Sequence, residues 1–533
     1  MGVIQLTILP YNCYLQTIMS VNHSRLFSSP LPCAAIVWVL WALVIGLGPI
    51  HQVVMRFIPD DGYYYLEIAR RIGIGEGSTF DGITATNGYH PLWVMCLLPL
   101  AQLMTASREA GLRMAILLGV GLIGGAFLLL NILSGIRNST RRWLFLFLPM
   151  SMLLVSSNYG MESPLVLFLL ALWLVILQLF VNTMASDRGN SKQTLIFPAA
   201  MGILSASLIL ARLDMIVFVF CFDLFYAYKI LSPLIRPTDK YPAGLPPGRS
   251  LGPLFLCAAI QMIVIGAYLS YNYNIYGHIL TVSALVKSGR GDSSLFSWLW
   301  ASWGALPGVA SGFLALAAWL HNPSKKGDPV LAIAASGTIL CLLIIASTSR
   351  GEAYHWYFTG PIFLSGLFLD SWLSRCKTPG HYPYAKPVFF LLILGMFALS
   401  VYRRAWHPEH RQPNRHYLPA KWIAQHAPAD AVFALPDCGL KAYFSERPHV
   451  NTDGLTCSFE FQESLRNGTA ADFLNSAGVN MMYSQEPLTD SVLLPIRKGM
   501  YGIAPPVQAS VRLFLQEDHT NYLWKITSIQ PAP

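Results

Sequence analysis

The chain is short of charge. Of its 533 residues only 12% are Asp, Glu, Lys or Arg, about half the roughly 25% of an ordinary soluble domain. That scarcity argues against a water-soluble globular protein. None of the nine cysteines forms a Cys-x-x-Cys pair, which argues against a zinc ribbon. Residues 1–30 lack a compact basic segment, an apolar segment and a small-residue cleavage site, so no signal peptide is expected. Gly73, Gly75, Gly77 and Gly82 follow no strand, so they make a flexible loop and not a dinucleotide fingerprint. No inverted-repeat pattern is evident.

Apolar residues are abundant: 54% of the chain is hydrophobic, with 14 Trp and 28 Phe. The chain reads as a polytopic α-helical membrane protein. Its 36 Lys+Arg against 27 Asp+Glu give a net charge of +9. In a soluble protein such an excess suggests nucleic acid. Here the basic residues gather in short loops between apolar runs, so they report orientation, and no nucleic-acid partner is expected.

Charge-poor runs long enough for a crossing occupy residues 31–50, 114–136, 143–161, 163–186, 251–271, 295–320 and 329–349. Residues 356–374 and 387–402 are weaker candidates. The apolar run 194–228 is too long for one crossing of a roughly 30 Å core and divides at Ala211-Arg212-Leu213-Asp214. Residues 91–104 are short for a span and read as an interfacial or re-entrant helix. Leaving them uncrossed puts every Lys/Arg-rich loop on one side, which gives eleven spans. The expected organisation is a cytoplasmic tail (1–30), a transmembrane domain (31–402) whose first external loop is 51–113, and a small external α/β domain (403–533). In that last part residues 432–435 read as a strand before the Pro436-Asp437-Cys438-Gly439 turn. Cys438 and Cys457 are the only cysteine pair there, and they are candidates for a disulfide if the region faces an oxidising compartment.

Chemistry-bearing residues collect on the outer side: Asp60, Asp61, His90, Glu162, Arg212, Asp214, the loop 271–292 and the stretch 350–355. Two adjacent carboxylates, Asp60 and Asp61, sit at the mouth of the first span, where a lipid headgroup would lie. Such a pair can bind a cation, take a proton from a substrate, or cap a helix. Residues 63–72 form an amphipathic pattern, with Tyr65, Ile68 and Ile72 on one face and Glu67, Arg70 and Arg71 on another. A helix along the membrane surface follows, with its tyrosines, Tyr64 among them, at headgroup level.

Asp60-Asp61-Gly62-Tyr63-Tyr64-Tyr65, then Asn87-Gly88-Tyr89-His90-Pro91-Leu92-Trp93, then Gly160-Met161-Glu162 together resemble the GT-C superfamily of membrane glycosyltransferases. The resemblance is to the bacterial branch with the aminoarabinose transferase of lipid A, protein mannosyltransferases, and arabinofuranosyltransferases of cell-wall and pilin glycans. It covers most of the membrane region and extends weakly into residues 432–455 through Asp437-Cys438-Gly439, Tyr443 and Asn451-Thr452-Asp453-Gly454. It implies a sugar donor joined to a polyprenyl phosphate, and an acceptor hydroxyl on a glycan, lipid or protein. The site would lie on the outer face of a bacterial inner membrane. Asp60 and Asp61 would carry catalysis, one as general base, with a divalent cation as a further option. This chain has Asp-Asp where some branches have Asp-Glu, so the roles within the pair stay open.

A phosphate leaving group needs countercharge more than a proton. Arg212, Lys287, Arg290 and Arg350 are the outer-side cations for that role. Arg212 can equally pair with Asp214, and Lys287 and Arg290 can equally be solvated loop charges. Glu162 can orient substrate or cap the helix that begins at Ser163. His90, His278 and His355 are candidate sugar or phosphate contacts. Asp223, inside a span, should face other helices. The competing classes are a transporter or flippase for the same lipid and a non-catalytic glycolipid binder.

Overall fold

The computed structural model of the protein describes residues 31–139, 141–156, 159–185, 193–235, 251–287, 306–320, 328–348, 355–375, 416–494, 507–518 and 521–531, with four single residues between 391 and 402. Four helices among them are long and apolar enough to cross a membrane: Arg108–Ile136, Ser163–Thr183, Gly252–Tyr276 and Pro329–Ser347. Shorter apolar helices, including Leu31–Leu47, Arg142–Leu153, Leu195–Ala211 and Pro307–Leu320, complete the bundle. All of these lie in stretches read as spans. The last expected span, 387–402, falls almost wholly outside the described residues, as does the 1–30 tail.

Local chemistry sets the helix ends. Arg108–Ile136 starts where the Ser107 hydroxyl accepts the Ala110 amide at 3.2 Å, with Glu109 in its first turn, which suits the positive end of the helix. The long run 194–228 breaks as expected. Helix Gln193–Ala211 stops at Arg212, whose backbone is extended, and a 3-10 turn (Leu213–Met215) leads into helix Ile216–Ile235. Inside that helix Asp223 accepts the Gln261 amide at 3.2 Å, so the intramembrane acid meets a neighbouring helix.

The short segment after His90 is not one rod. Helix Pro91–Leu97, the 3-10 turn Leu98–Leu100 containing Pro99, and helix Ala101–Ala106 follow one another. Both ends stay beside helix Asp60–Gly73. His90 stacks on Tyr65 with ring centroids 6.3 Å apart, and Arg108 donates to Glu67 at 2.8 Å.

The C-terminal part is a six-stranded mixed sheet with four helices. Its strands are β1 (Phe433–Leu435), β2 (His449–Asn451), β3 (Met481–Ser484), β4 (Ser491–Leu494), β5 (Val507–Asp518) and β6 (Asn521–Pro531), in the order β2-β1-β3-β6-β5-β4. β1 pairs in parallel with β2 and β3, and the other pairings are antiparallel. All three residues of β1 are buried, as a parallel strand covered on both faces requires. One cover contains Val450, Phe461 and Leu474, and the other Ile423, Phe433 and Leu523.

Tyr417, Leu435, Cys438, Leu440, Tyr443 and Phe444 belong instead to the same continuous core as the membrane helices. That shared core corrects the amphipathic reading of helix Asp60–Gly73. Residues 62–70 are buried on every side, Glu67 and Arg70 included. What should have been the wet face is covered by helix Gly439–Ser445 and by Arg108. Tyr443 donates to the Arg108 carbonyl at 2.9 Å, and the Arg108 guanidinium lies 5.0 Å over its ring. Glu67 is ringed by Arg70 (2.7 Å), Arg71 (3.0 Å) and Arg108 (2.8 Å). Burial alone would raise its pKa, but the three guanidiniums overcome that and hold it below the usual carboxylate range.

The expected Cys438–Cys457 disulfide is not formed; both thiols are free and buried. Cys457 instead donates to the Asn451 carbonyl at 2.7 Å, and Cys438 closes the turn into helix Gly439–Ser445. Burial pushes both thiols well above their ordinary pKa.

His449 in β2 is fully buried, stacks on Phe433 at 4.8 Å, and donates from Nδ1 to the Arg447 carbonyl at 2.8 Å. Nε2 has no hydrogen-bond partner among the described residues. Burial, only partly opposed by the Arg447 contact, lowers its pKa to about 4. Above the unfolded value of about 6.5 the group is neutral in both states. Below it the unfolded chain takes up a proton that the fold refuses, so stability falls with pH from about 6.5 to about 4, by about 3 kcal/mol in all. Melting curves of the full chain between pH 7.5 and 4.5 should show this slope, and His449→Gln should flatten it by about one proton; equal slopes would refute the assignment.

Candidate active site

Helix Asp60–Gly73 organises the site. Pro59, with ψ of 171°, ends the preceding extended stretch, two acids fill the first turn and Arg70 and Arg71 the last, each matched to the helix dipole. Successive residues are about 100° apart around a helix, so Asp60 and Asp61 face different neighbours.

Asp60 faces the C-terminal unit. Its Oδ2 accepts the Gly439 amide and its Oδ1 the Leu440 amide, both at 2.8 Å. One turn on, the Tyr64 hydroxyl accepts the Asn451 side-chain amide at 2.6 Å, while its ring meets Phe80 edge-on at 4.9 Å. Tyr64 is therefore buried at the interface with the sheet and is not an exposed residue of a surface helix. Burial, with Asp60 nearby, raises its pKa well above normal. Tyr63 completes this side against Tyr443 and Phe444, with centroids 5.7 and 5.9 Å away.

Asp61 belongs with Tyr65, one turn along. Tyr65 lies beside His90 and within the field of Glu162; burial first, then Glu162, raises its pKa well above normal. His90 Nε2 is 3.9 Å from Glu162 Oε1. Arg212 then ties this side together. It donates to Glu162 (3.2 Å), to both oxygens of Asp214 (2.9 and 3.1 Å) and to the Trp356 carbonyl (2.7 Å), and lies 5.5 Å over the Tyr357 ring. Burial opposes the cation, but Asp214 and Glu162 more than compensate and raise its pKa. Burial likewise opposes ionised Glu162, and His90 and Arg212 reverse the effect and lower its pKa.

These contacts revise two readings. Glu162 does not cap the Ser163 helix with its side chain; it is 1% exposed and paired with Arg212. Arg212 is no spare countercharge, because one guanidinium serves two carboxylates.

The first loop is pinned from two further sides. Thr86 donates to the Cys457 carbonyl at 3.0 Å, and the Tyr276 hydroxyl donates to the Thr86 carbonyl at 3.1 Å. Asn87 accepts the Val282 amide at 2.9 Å. Gly277 ends helix Gly252–Tyr276 at φ +71°, a conformation that favours glycine. His278 follows and stacks on Phe459 at 4.0 Å, which engages it with the sheet unit. Helix Val282–Lys287 brings the chain toward the first loop, but the Lys287 and His355 side chains, and Arg290 and Arg350 altogether, lie outside the described residues.

Among the described residues no group of three or more His, Cys, Asp or Glu side chains is close enough to hold a metal ion. The residues that sequence reasoning missed are Gly439, Leu440, Asn451 and Arg108. The first three lie in stretches marked for their resemblance, but the contribution of Gly439 and Leu440 is backbone N–H, which side-chain motifs do not signal.

A family described as a domain of unknown function (DUF8728) matches residues 406–505. No curated protein matches the chain by sequence. Among solved structures, the oligosaccharyltransferase AglB from Archaeoglobus fulgidus, in complex with an inhibitory peptide and a dolichol-phosphate, aligns with a TM-score of 0.50 at 12% identity, over 85% of this chain and 69% of that one. ArnT from Cupriavidus metallidurans bound to undecaprenyl phosphate aligns with a TM-score of 0.55 at 13% identity, over 92% of this chain and 97% of that one. Apo ArnT from the same organism gives 0.51 at 14% identity, over 92% and 98%. At such identities the likeness is one of fold. The likeness to AglB and ArnT shows a shared fold, in agreement with the helical architecture expected from the sequence.

Proposed function

We propose that the chain transfers a sugar from a polyprenyl-phosphate donor to an acceptor hydroxyl at the outer surface of a bacterial inner membrane, with Asp61 as general base. The observation that carries this reading is the division of the acidic pair. Both oxygens of Asp60 are taken up by backbone amides of the C-terminal unit. Asp61 acts electrostatically on Tyr65, which in turn stacks on His90 and lies in the field of Glu162. The solved neighbours support the lipid-linked donor, since their bound ligands are a dolichol-phosphate and undecaprenyl phosphate.

In this reading the lipid tail keeps the donor's reacting carbon at headgroup depth, beside helix Asp60–Gly73. The acceptor oxygen attacks the anomeric carbon, the bond from that carbon to the phosphate oxygen breaks, and polyprenyl phosphate leaves. Asp61 takes the proton from the attacking hydroxyl, a contribution of roughly 10²–10⁴-fold. His90 orients a sugar hydroxyl, and buried Glu162 beside it holds the imidazole in place. Countercharge for the phosphate falls to Lys287, Arg290 and Arg350, since Arg212 is spent on two carboxylates. Acceptors are a glycan, a glycolipid or a surface protein such as pilin, and arabinofuranosyl transfer is the specific form carried over from the sequence resemblance.

Mass spectrometry of glycolipids and surface glycoproteins from cells with and without the chain identifies the product. Asp61→Asn should abolish that product while the purified protein inserts normally and still binds undecaprenyl phosphate; undiminished product would remove Asp61 as the base. Arg212→Ala should destabilise the fold by roughly 3 kcal/mol, because it strands buried Glu162, and half-buried Asp214 beside it, without their cation. Adding Glu162→Gln should recover part of that loss. Denaturant titrations of the two variants check this, and a near-neutral Arg212→Ala would show that the trio does not hold the site together.

A further inference from the structure

The acidic motif is gripped by a backbone. Asp60 meets the amides of Gly439 and Leu440 with both carboxylate oxygens at 2.8 Å, and hydrogen bonds to an ionised acceptor are the strong kind. The contact crosses almost the whole chain, and Asn451 to Tyr64 at 2.6 Å repeats it one turn along. Tyr63 against Tyr443 and Phe444 adds an apolar wall. Three successive positions on one side of the helix are thereby fixed, and its rotation about its axis is fixed with them. The direction of Asp61 follows.

Gly439 is fitted to this contact. A Cβ there would stand 2.4 Å from the Asp60 carbonyl oxygen, and 3.1 Å from both Asp60 Oδ2 and Tyr64 Cε1. Its φ is not in the left-handed region, so close approach, not backbone freedom, accounts for the glycine. On the other face Tyr65 shares a side with Asp61 and touches the His90 and Glu162 group.

We propose that Asp60 is a positioning residue. Held by the Gly439 and Leu440 amides, it sets the rotation of helix Asp60–Gly73 and so aims Asp61 at the acceptor hydroxyl, which makes the C-terminal unit a working part of the transferase through its main chain. The proposal rests on the reading of Asp61 as base.

The test uses the full chain in lipid nanodiscs. It combines hydrogen–deuterium exchange over residues 439–445, binding of undecaprenyl phosphate, and the level in cells of the glycoconjugate that depends on the chain. Asp60→Asn should speed exchange at 439 and 440 by about tenfold. It should cut product about a hundredfold, as misaimed catalytic groups do, with undecaprenyl phosphate affinity unchanged. Gly439→Ala, which keeps both carboxylates, should reproduce that pattern. Asp61→Asn should lose product with exchange at 439 and 440 as in the wild type. Normal product from Asp60→Asn would overturn the proposal. So would lost product without faster exchange, which would put Asp60 directly at the chemistry, and so would faster exchange with full product in Gly439→Ala. Full product from Asp61→Asn would instead overturn the functional reading, while exchange would still report whether the grip exists.

Discussion

A carboxylate withdrawn from water has to be answered by hydrogen bonds or by opposite charge, because leaving it unanswered costs several kcal/mol. Helix Asp60–Gly73 carries one such group, Glu67, and two half-buried acids at its start, and the arrangement of this protein follows from how they are held. Asp60 is met by two main-chain amides, Glu67 by three guanidiniums, and Asp61 shares its side with the Tyr65, His90 and Glu162 group. The partners come from different parts of the chain: residues 439 and 440, the start of helix Arg108–Ile136, and the turn after residue 159. Satisfying the charges of one short helix therefore draws the membrane helices and the C-terminal sheet into one body.

That body has a continuous apolar core, and the core explains why the charged face of the helix is dry. Tyr443 and Phe444 pack against Tyr63 and Tyr417, and burial of aromatics at this level is worth several kcal/mol for the group. The cost of burying Glu67 is offset locally by its arginines. The same logic recurs at Arg212, where a single cation holds Glu162 and Asp214 at the junction of two helices. Each ionic group does two jobs: it neutralises a buried charge and it registers one segment against another.

Much of this was legible in the residues. The scarcity of charge and the apolar runs announced the helical bundle; Ala211-Arg212-Leu213-Asp214 marked the break between helices Gln193–Ala211 and Ile216–Ile235; the shortness of 91–104 marked it as a segment that does not cross. The strand at 432–435 and the turn after it were also readable, since a short apolar run, Val432-Phe433-Ala434-Leu435, stops at Pro-Asp-Cys-Gly. The roles within the acidic pair were not. Two adjacent Asp residues have the same side chain and the same local context, and only their partners distinguish them. The partner of Tyr64 was not legible for a related reason: Asn451 lies hundreds of residues away in sequence. The pairing of Arg212 with Asp214 was an open alternative that the structure shows, while its contact with Glu162 was not legible.

The sequence by itself determined the helical, apolar class of the protein and marked the candidate place of its chemistry. Hydrophobic run length and charge scarcity are set by composition alone, and a carboxylate pair beside an apolar run needs no fold to be noticed. Only the tertiary structure decided that Asp60 is held by main-chain amides, that the charged face of the helix is buried, and that Cys438 and Cys457 are not joined. Those outcomes depend on main-chain amides and on distances between remote segments. Neither is carried by residue identity, because an N–H belongs to almost every residue and a contact belongs to none until the chain is folded.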